Sequence, residues 1–166
     1  MITTSAQHLY LLEPEVPGGW GDGTIYVNAQ EVANGEDRIP QIALLHLVID
    51  GWLGDELLTT HPCFIMTTSL SKQLQSHRVT GFEEAPMKVS VSSIFDELQP
   101  NVTLPDFTRI AMHGSVIIDE TKGRFVSWSG HDICISQDAS LVVTKRVLDL
   151  ISKPLMSHCN VTELRQ

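Results

Sequence analysis

The sequence contains no hydrophobic run long enough to cross a membrane as a helix. Its longest apolar stretch, Ile42–Ile49, is interrupted by His46, whereas a spanning helix needs about 18 or more apolar residues. Residues 1–8 also lack the basic and apolar regions of a signal peptide. These absences predict a cytoplasmic protein with no membrane partner.

Cysteines are few, and they are not spaced as pairs. Cys63, Cys134 and Cys159 are an odd number and form no Cys-x-x-Cys motif. This usage predicts reduced thiols in a reducing compartment and no disulfide framework. Cys63 has apolar neighbours in an acidic region, whereas a nucleophilic thiol needs electropositive surroundings, so a place in the core is expected.

Basic residues are scarce in the first part of the chain. Arg38 is the only lysine or arginine among residues 1–71, which carry nine acidic residues, whereas residues 72–166 carry ten basic and eleven acidic ones. An acidic surface repels nucleic acid and anionic lipid and attracts basic proteins, although acidity also serves solubility alone. Lys145 and Arg146 form the best basic pair without an aromatic stripe, so no nucleic-acid partner is expected.

Motifs for catalysis, cofactors and metals are also missing. The glycine-rich segment 17–23 precedes a predicted strand, whereas a phosphate-binding loop follows a strand and opens a helix, so a surface loop is expected. The seven histidines include no pair four residues apart. The sequence therefore predicts no catalytic residue, no cofactor and no metal site. The strongest alternative is a hydrolase-like site at His131 and Asp132, close to Cys134.

Short apolar runs bounded by turn signals indicate a chain rich in strands. The predicted strands are residues 8–12, 24–27, 42–49, 64–67, 88–91, 107–112, 115–118, 124–128 and 141–144. The first is expected at a sheet edge, because Pro14 follows it. Ser92 or Ser93 is expected to cap a short helix that ends at Leu98. Residues 52–58 are expected to form a turn or short helix, and residues 129–138 a connection.

A strand–helix–strand pattern occurs twice. Each copy has a strand that ends in threonine, followed by two apolar residues one helical turn apart. The first copy has Thr67, Leu70 and Leu74, and the second, 77 residues later, has Thr144, Val147 and Ile151. Each threonine is expected to cap its helix by accepting an amide hydrogen bond, and the flanking strands are expected to be parallel.

The repeat leads to a fold prediction. We expect an α/β chain of the α+β kind, with a mixed sheet and two pseudo-repeated units at about 62–89 and 139–164. Residues 1–40 are expected to form a strand and loop extension, and residues 1–166 a single domain.

Several segments resemble a known group of proteins. They are residues 50–58 (DGWLGDELL), 62–67 (PCFIMT), 80–82 (TGF), 104–107 (LPDF), 131–136 (HDICIS) and 141–146 (LVVTKR). Over residues 42–166 the chain is similar to immunity proteins of bacterial polymorphic toxin systems, and most of all to the Imm11-type group, which carries a V-[ST]-x-[RK] element twice. Threonine replaces the usual serine at Thr67 and Thr144, and Ser69 replaces the basic residue of the first copy.

The resemblance implies a non-enzymatic antitoxin of the bacterial cytoplasm that binds and neutralises a cognate protein toxin. The acidic first half leads us to expect a basic toxin, because opposite charge speeds encounter while aromatic side chains supply affinity. The candidate contact residues are Trp20, Glu31, Glu36, Asp37, Asp50, Asp55 and Glu56. Trp52 is either a further exposed contact or a core anchor. A hydrolase-like enzyme and a homo-oligomeric structural protein, such as a homodimer, are the alternatives.

Overall fold

Strands dominate the computed structural model, which describes residues 7–151 and 155–166. The described elements in chain order are β1 (His8–Glu13), β2 (Gly18–Trp20), β3 (Ile25–Tyr26), α1 (Ala29–Ala33), β4 (Ile42–Ile49), β5 (Leu57–Thr60), β6 (Cys63–Thr67), α2 (Thr68–Ser76), β7 (Phe82–Ala85), β8 (Met87–Val91), α3 (Ser93–Leu98), β9 (Phe107–Met112), β10 (Gly114–Asp119), β11 (Arg124–Trp128), β12 (Ile133–Ser136), β13 (Leu141–Thr144), α4 (Lys145–Leu150) and β14 (Asn160–Arg165). The fold is of the mixed α+β class, as the sequence predicted.

Six strands close into a small barrel in the order β1, β13, β12, β10, β11 and β14. Alternate residues face inward, as the pleat requires, so that Leu9, Val116, Phe125 and Leu164 share one buried cluster. Strand β1 pairs antiparallel with β13 on one side and β14 on the other. The predicted edge position of this strand is therefore wrong, because Pro14 lies beyond its last paired residue and removes no ladder hydrogen bond.

Two further sheets extend the fold. Strand β4 pairs antiparallel with β2 and β3 along successive stretches and parallel with β8. The other sheet has the order β5, β6, β9 and β7. Leu45, Leu47 and Ile49 of β4 form a core with Ile65 of β6, so the two sheets pack face to face.

All five residues of β6 are buried. Ile65 faces the β4 sheet, whereas its neighbours Phe64 and Met66 belong to a second core. That second core also contains Leu74 of α2 and Ile151, which directly follows α4. The β5–β6–β9–β7 sheet is thus a middle layer, which explains why β6 reads as a continuous apolar run.

Both predicted repeats form strand–helix–strand units. Strands β6 and β7 flank β9 and are each antiparallel to it, and strands β13 and β14 flank β1 in the same way. The outer strands of each unit are therefore parallel, as expected, but an antiparallel strand lies between them, which is a split β-α-β arrangement. The first strand of each unit also forms a hairpin with the strand before it, β6 with β5 and β13 with β12.

The two threonines at the helix starts behave differently. Thr67 caps α2, since its Oγ1 accepts the amide of Leu70 at 3.1 Å. Thr144 makes no cap bond, and its hydroxyl instead donates to Asp132 Oδ1 at 3.0 Å. The prediction of a cap is confirmed for Thr67 and wrong for Thr144, because a carboxylate competes for the Thr144 hydroxyl.

Three other local predictions are corrected. The expected loop at 17–23 contains β2, and a Cβ atom on Gly18 would collide with the Val48 carbonyl oxygen, so glycine allows the close approach to β4. The expected connection at 129–138 contains β12, and residues 52–58 form no helix but run into β5. Helix α1 was not predicted. Ser92 caps α3 through the amide of Phe95, as expected.

Within residues 7–151 and 155–166, every helix is too short or too polar to cross a membrane.

Candidate functional site

Five of the seven predicted contact residues lie on the surface. Trp20 is 37% exposed on β2, and its ring meets Tyr26 of β3 edge-on at 5.3 Å. Glu31 lies on α1, Glu36 and Asp37 follow it, and Asp50 directly follows β4; all four residues are exposed. These residues lie on β2, in the segment between β3 and β4, and directly after β4.

A shallow cavity of about 420 Å³ opens beside Trp20. His46 forms its floor: its Nδ1 accepts the amide of Gly23 at 3.0 Å, and its Nε2 lies 2.7 Å from Ser90 Oγ. Because a backbone amide can only donate, Nδ1 is unprotonated and Nε2 donates to the serine. A Cβ atom on Gly21 would collide with this imidazole. Asp22 and Asp50 complete the acidic rim of the cavity.

Asp55 and Glu56 are not part of that surface. Asp55 is 0% exposed, and Glu56 is half-buried with its Oε1 accepting from the Thr67 hydroxyl at 2.5 Å. The expected surface position of Asp55 is therefore wrong, whereas Glu56 is partly exposed and its contact role stays a prediction. Both residues lie in the connection before β5, where protein groups donate to both oxygens of Asp55 and to one oxygen of Glu56.

Trp52 is a core anchor, which decides the alternative left open by the sequence. Its side chain is half-buried against the core between the two sheets, and its ring meets Phe107 edge-on at 6.0 Å. The indole nitrogen donates to the Asp55 carbonyl at 2.8 Å. The indole therefore helps to hold the chain that carries Asp55.

Asp55 lies at the centre of a cluster that the sequence did not reveal. Its Oδ2 accepts the amide of His158 at 2.8 Å, and its Oδ1 lies 2.9 Å from His158 Nδ1 and 3.0 Å from Ser157 Oγ. Glu15 completes the group, and one ligand atom from each of Glu15, Asp55 and His158 lies within 4.8 Å of the other two. The two carboxylates and one imidazole come from three separate connections of the fold.

The backbone of Glu15 is hydrogen-bonded, but only one of its two carboxylate oxygens has a partner in the part of the chain that the structure describes. Its carbonyl accepts the amide of Thr59 at 2.9 Å, and its Oε1 accepts the amide of Leu53 at 2.7 Å. Its Oε2 is buried and has no hydrogen-bond partner among the described residues. Burial raises the pKa of Glu15 above its ordinary value, and the nearby charge of Asp55 acts in the same direction.

His131 and Asp132 do not form a comparable group. Asp132 accepts hydrogen bonds from the Thr80 amide at 3.0 Å, from the Thr144 hydroxyl and from the Arg146 guanidinium at 2.9 Å. His131 lies 2.9 Å from Ser129 Oγ. The carboxylate of Asp132 therefore links the second repeat to the loop after α2 of the first.

Asp55 and Asp132 play reciprocal roles. They are separated by the 77-residue offset of the repeat, as are their partners Thr80 and Ser157. Asp132, just before the second unit, accepts from Thr80 of the first, and Asp55, just before the first unit, accepts from Ser157 of the second. Extending the repeat alignment to these residues would have paired Asp55 with Asp132 and Thr80 with Ser157, which is the sequence signal for these reciprocal contacts.

None of the three cysteines has the surroundings of an activated nucleophile. Burial raises the pKa of Cys63 and of Cys134 above the ordinary thiol value. Burial also raises the pKa of Cys159, to about 11. All three thiols are thus protonated at neutral pH, and the expected core position of Cys63 is confirmed.

A groove of about 660 Å³ lies between α4 and β14 and includes Lys145 and Asp149. These two side chains pair with each other, so the groove does not present a free charge from either.

Comparison with known proteins gives no further assignment. No protein-family model matches the chain, and no curated protein matches it significantly. The resemblance to immunity proteins therefore stays a prediction.

Proposed function

We propose that the chain is a non-enzymatic immunity-type protein of the bacterial cytoplasm, which neutralises a cognate toxin by covering a basic surface of that toxin. The observation that carries the proposal is the set of exposed carboxylates in the segments that precede and follow β4, two of which, Asp22 and Asp50, share a cavity with Trp20. We define the acidic face as Trp20, Asp22, Glu31, Glu36, Asp37 and Asp50, all of them exposed.

Residues 1–71 supply little positive charge to offset this face, although exposed Lys88 of β8 lies opposite His46. Arg38 is the only basic side chain of residues 1–71, and it pairs with Asp138 at 3.2 Å. The side chains of Glu31, Glu36 and Asp50 make no hydrogen bond or ion pair within the described part of the chain. A basic partner would therefore meet carboxylates that need no rearrangement, which favours fast, oriented association.

The dimensions of the face suit a protein partner better than a small molecule. Its acidic residues lie near both ends of the eight-residue strand β4, which spans about 25 Å at 3.4 Å per residue. The cavity beside Trp20 is shallow and open. Exposed Ile25 and Val27 add apolar surface next to the carboxylates, as in interfaces where aromatic and aliphatic anchors supply affinity within a polar rim.

The test uses matched charge reversals. The face variant Glu31→Lys/Glu36→Lys/Asp50→Lys and the control variant Glu83→Lys/Asp106→Lys/Glu120→Lys change the net charge equally at exposed positions. The protein that wild-type chain captures from the native host is identified, and it is then expressed in a host with each form of the chain. We expect that protein to arrest growth, and wild type and control to restore it, whereas the face variant fails.

The face variant and the control variant also allow a direct measurement of association rates. We expect association of the wild-type complex to slow as salt rises and the face variant to associate at least about tenfold more slowly than the control. A captured protein that is harmless when expressed alone would overturn the proposal. Rescue by the face variant equal to rescue by the control would remove the acidic face from it.

A further inference from the structure

We propose that Glu15, Asp55 and His158 form a binding site for a divalent transition-metal ion of the zinc class. The three ligand atoms lie within 4.8 Å of one another. Around a tetrahedral zinc ion with bonds of about 2.1 Å, neighbouring ligand atoms lie about 3.4 Å apart. The observed cluster therefore needs only small side-chain movements to hold the ion.

The buried carboxylate of Glu15 provides an independent reason for a cation. The residue is only 6% exposed, and its Oε2 is buried with no hydrogen-bond partner in residues 7–151 and 155–166. Leaving a buried polar atom without a partner destabilises the folded chain. A cation between Glu15 and Asp55 would satisfy that oxygen and remove the repulsion between the two carboxylates.

The surroundings of Asp55 already resemble the outer layer of a metal site. The amide of His158 and the hydroxyl of Ser157 donate to its carboxylate, and such bonds orient a metal ligand. The side chain of His158 is 45% exposed, which gives an ion a way in. The ion would take the place of the proton between His158 Nδ1 and Asp55, and the neutral imidazole would then carry its proton on the exposed Nε2.

The donor set indicates the class of ion. Calcium and magnesium prefer cages made of oxygen, whereas an imidazole with two carboxylates suits zinc, manganese or iron. Three protein ligands leave a position for water on the exposed side of His158. The site joins the connection after β1, the connection before β5 and the turn before β14, so the bound ion would act as a clamp on the fold.

Metal titration of the full-length apo chain tests the proposal. With ZnCl₂ as the probe, calorimetry is expected to show one site, and the melting temperature is expected to rise with zinc. With CoCl₂, visible absorption reports the coordination of the bound ion. Glu15→Gln and His158→Ala are each expected to weaken zinc binding at least about tenfold and to change the cobalt spectrum.

Two controls separate this site from others. Glu13→Gln removes a nearby exposed carboxylate, and His131→Ala removes one of two histidine rings that lie 5.5 Å apart; both variants should bind zinc as wild type does. The apo form of Glu15→Gln should melt no lower than wild type, because an amide removes the buried repulsion, so a loss of zinc binding is not a loss of fold.

Three results would overturn the proposal. The first is that the wild-type chain binds neither zinc nor cobalt. The second is that Glu15→Gln and His158→Ala bind zinc as tightly as wild type does, and the third is that only His131→Ala loses zinc binding. None of the three ligands belongs to the acidic face, so failure here leaves the toxin-binding proposal standing, and the reverse also holds.

Discussion

The two repeats have one topology in two different surroundings. In the first, β6 and β7 flank β9 inside the middle layer, and both faces of β6 are buried. In the second, β13 and β14 flank β1 in the wall of the barrel. The middle strand follows the outer strands along the chain in the first unit and precedes them in the second. The local strand–helix–strand pattern thus sets the unit, and the strand that completes it comes from elsewhere.

The units also differ in how their threonines are used. Thr67 caps α2, which has nine residues, whereas Thr144 binds Asp132 and leaves the six-residue α4 without a side-chain cap. The same residue at the same position therefore makes different bonds, depending on which acceptor lies within reach.

The largest expected effect tests whether the repeats share one core. Leu74→Ala and Ile151→Ala remove equivalent side chains, 0% and 1% exposed, from the same buried cluster. Each should lower the free energy of unfolding by about 2–5 kcal/mol, because each leaves a cavity. Urea denaturation measures both, and Leu98→Ala, at a 73% exposed position, serves as a control within about 0.5 kcal/mol. A small loss at Ile151 alone would show that the second unit packs loosely.

A moderate effect distinguishes the two threonines. Thr67→Ala removes a cap and a bond to Glu56 and should cost about 1–2 kcal/mol, whereas Thr144→Ala removes one bond to Asp132 and should cost about 0.5–1.5 kcal/mol. Double-mutant cycles with Asp132→Ala, read by urea denaturation, should show coupling for Thr144 and none for Thr67. Equal coupling for both threonines would contradict the assigned partners.

The smallest effect concerns Glu84, which has no counterpart because the equivalent position is Val161. Its Oε1 accepts from the Ser71 hydroxyl at 2.9 Å, and Lys72 lies 3.3 Å away. The Ser71 bond, followed by Lys72, lowers the pKa of Glu84 below 4.5. The stabilisation is thus complete above pH 4.5 and is lost as pH falls through the lower folded pKa.

Comparison of wild type with Glu84→Gln measures that effect. The difference in free energy of unfolding should stay constant, at under about 1 kcal/mol, from neutral pH to about pH 5 and shrink below that. Substitution of Val161, at the equivalent position of the second unit, should change the free energy of unfolding by the same amount at every pH. A difference that grows on acidification would reverse the assigned sign.

Local sequence patterns predicted the elements whose defining residues are only a few positions apart. The apolar run of β4, the Ser92 cap of α3 and both strand–helix units follow from spacings of a few residues. Strand β12 and helix α1 were missed, since β12 is short and follows polar residues, and α1 has no buried side chain and therefore no apolar stripe.

No local sequence pattern indicated the candidate metal site. Asp55 and His158 are 103 residues apart, and no motif connects either of them with Glu15. The pairing of β1 with β14 brings the chain that carries Glu15 near the turn that carries His158.

The sequence alone determined the α+β class, the 77-residue repeat and the acidic character of the first half, because composition and short spacings record which faces must be buried or hydrated. Tertiary structure alone decided that β1 is central, that Asp55 is buried and that Glu15 meets His158. Those outcomes depend on which distant strands pair, and pairing is set by the packing of the whole chain.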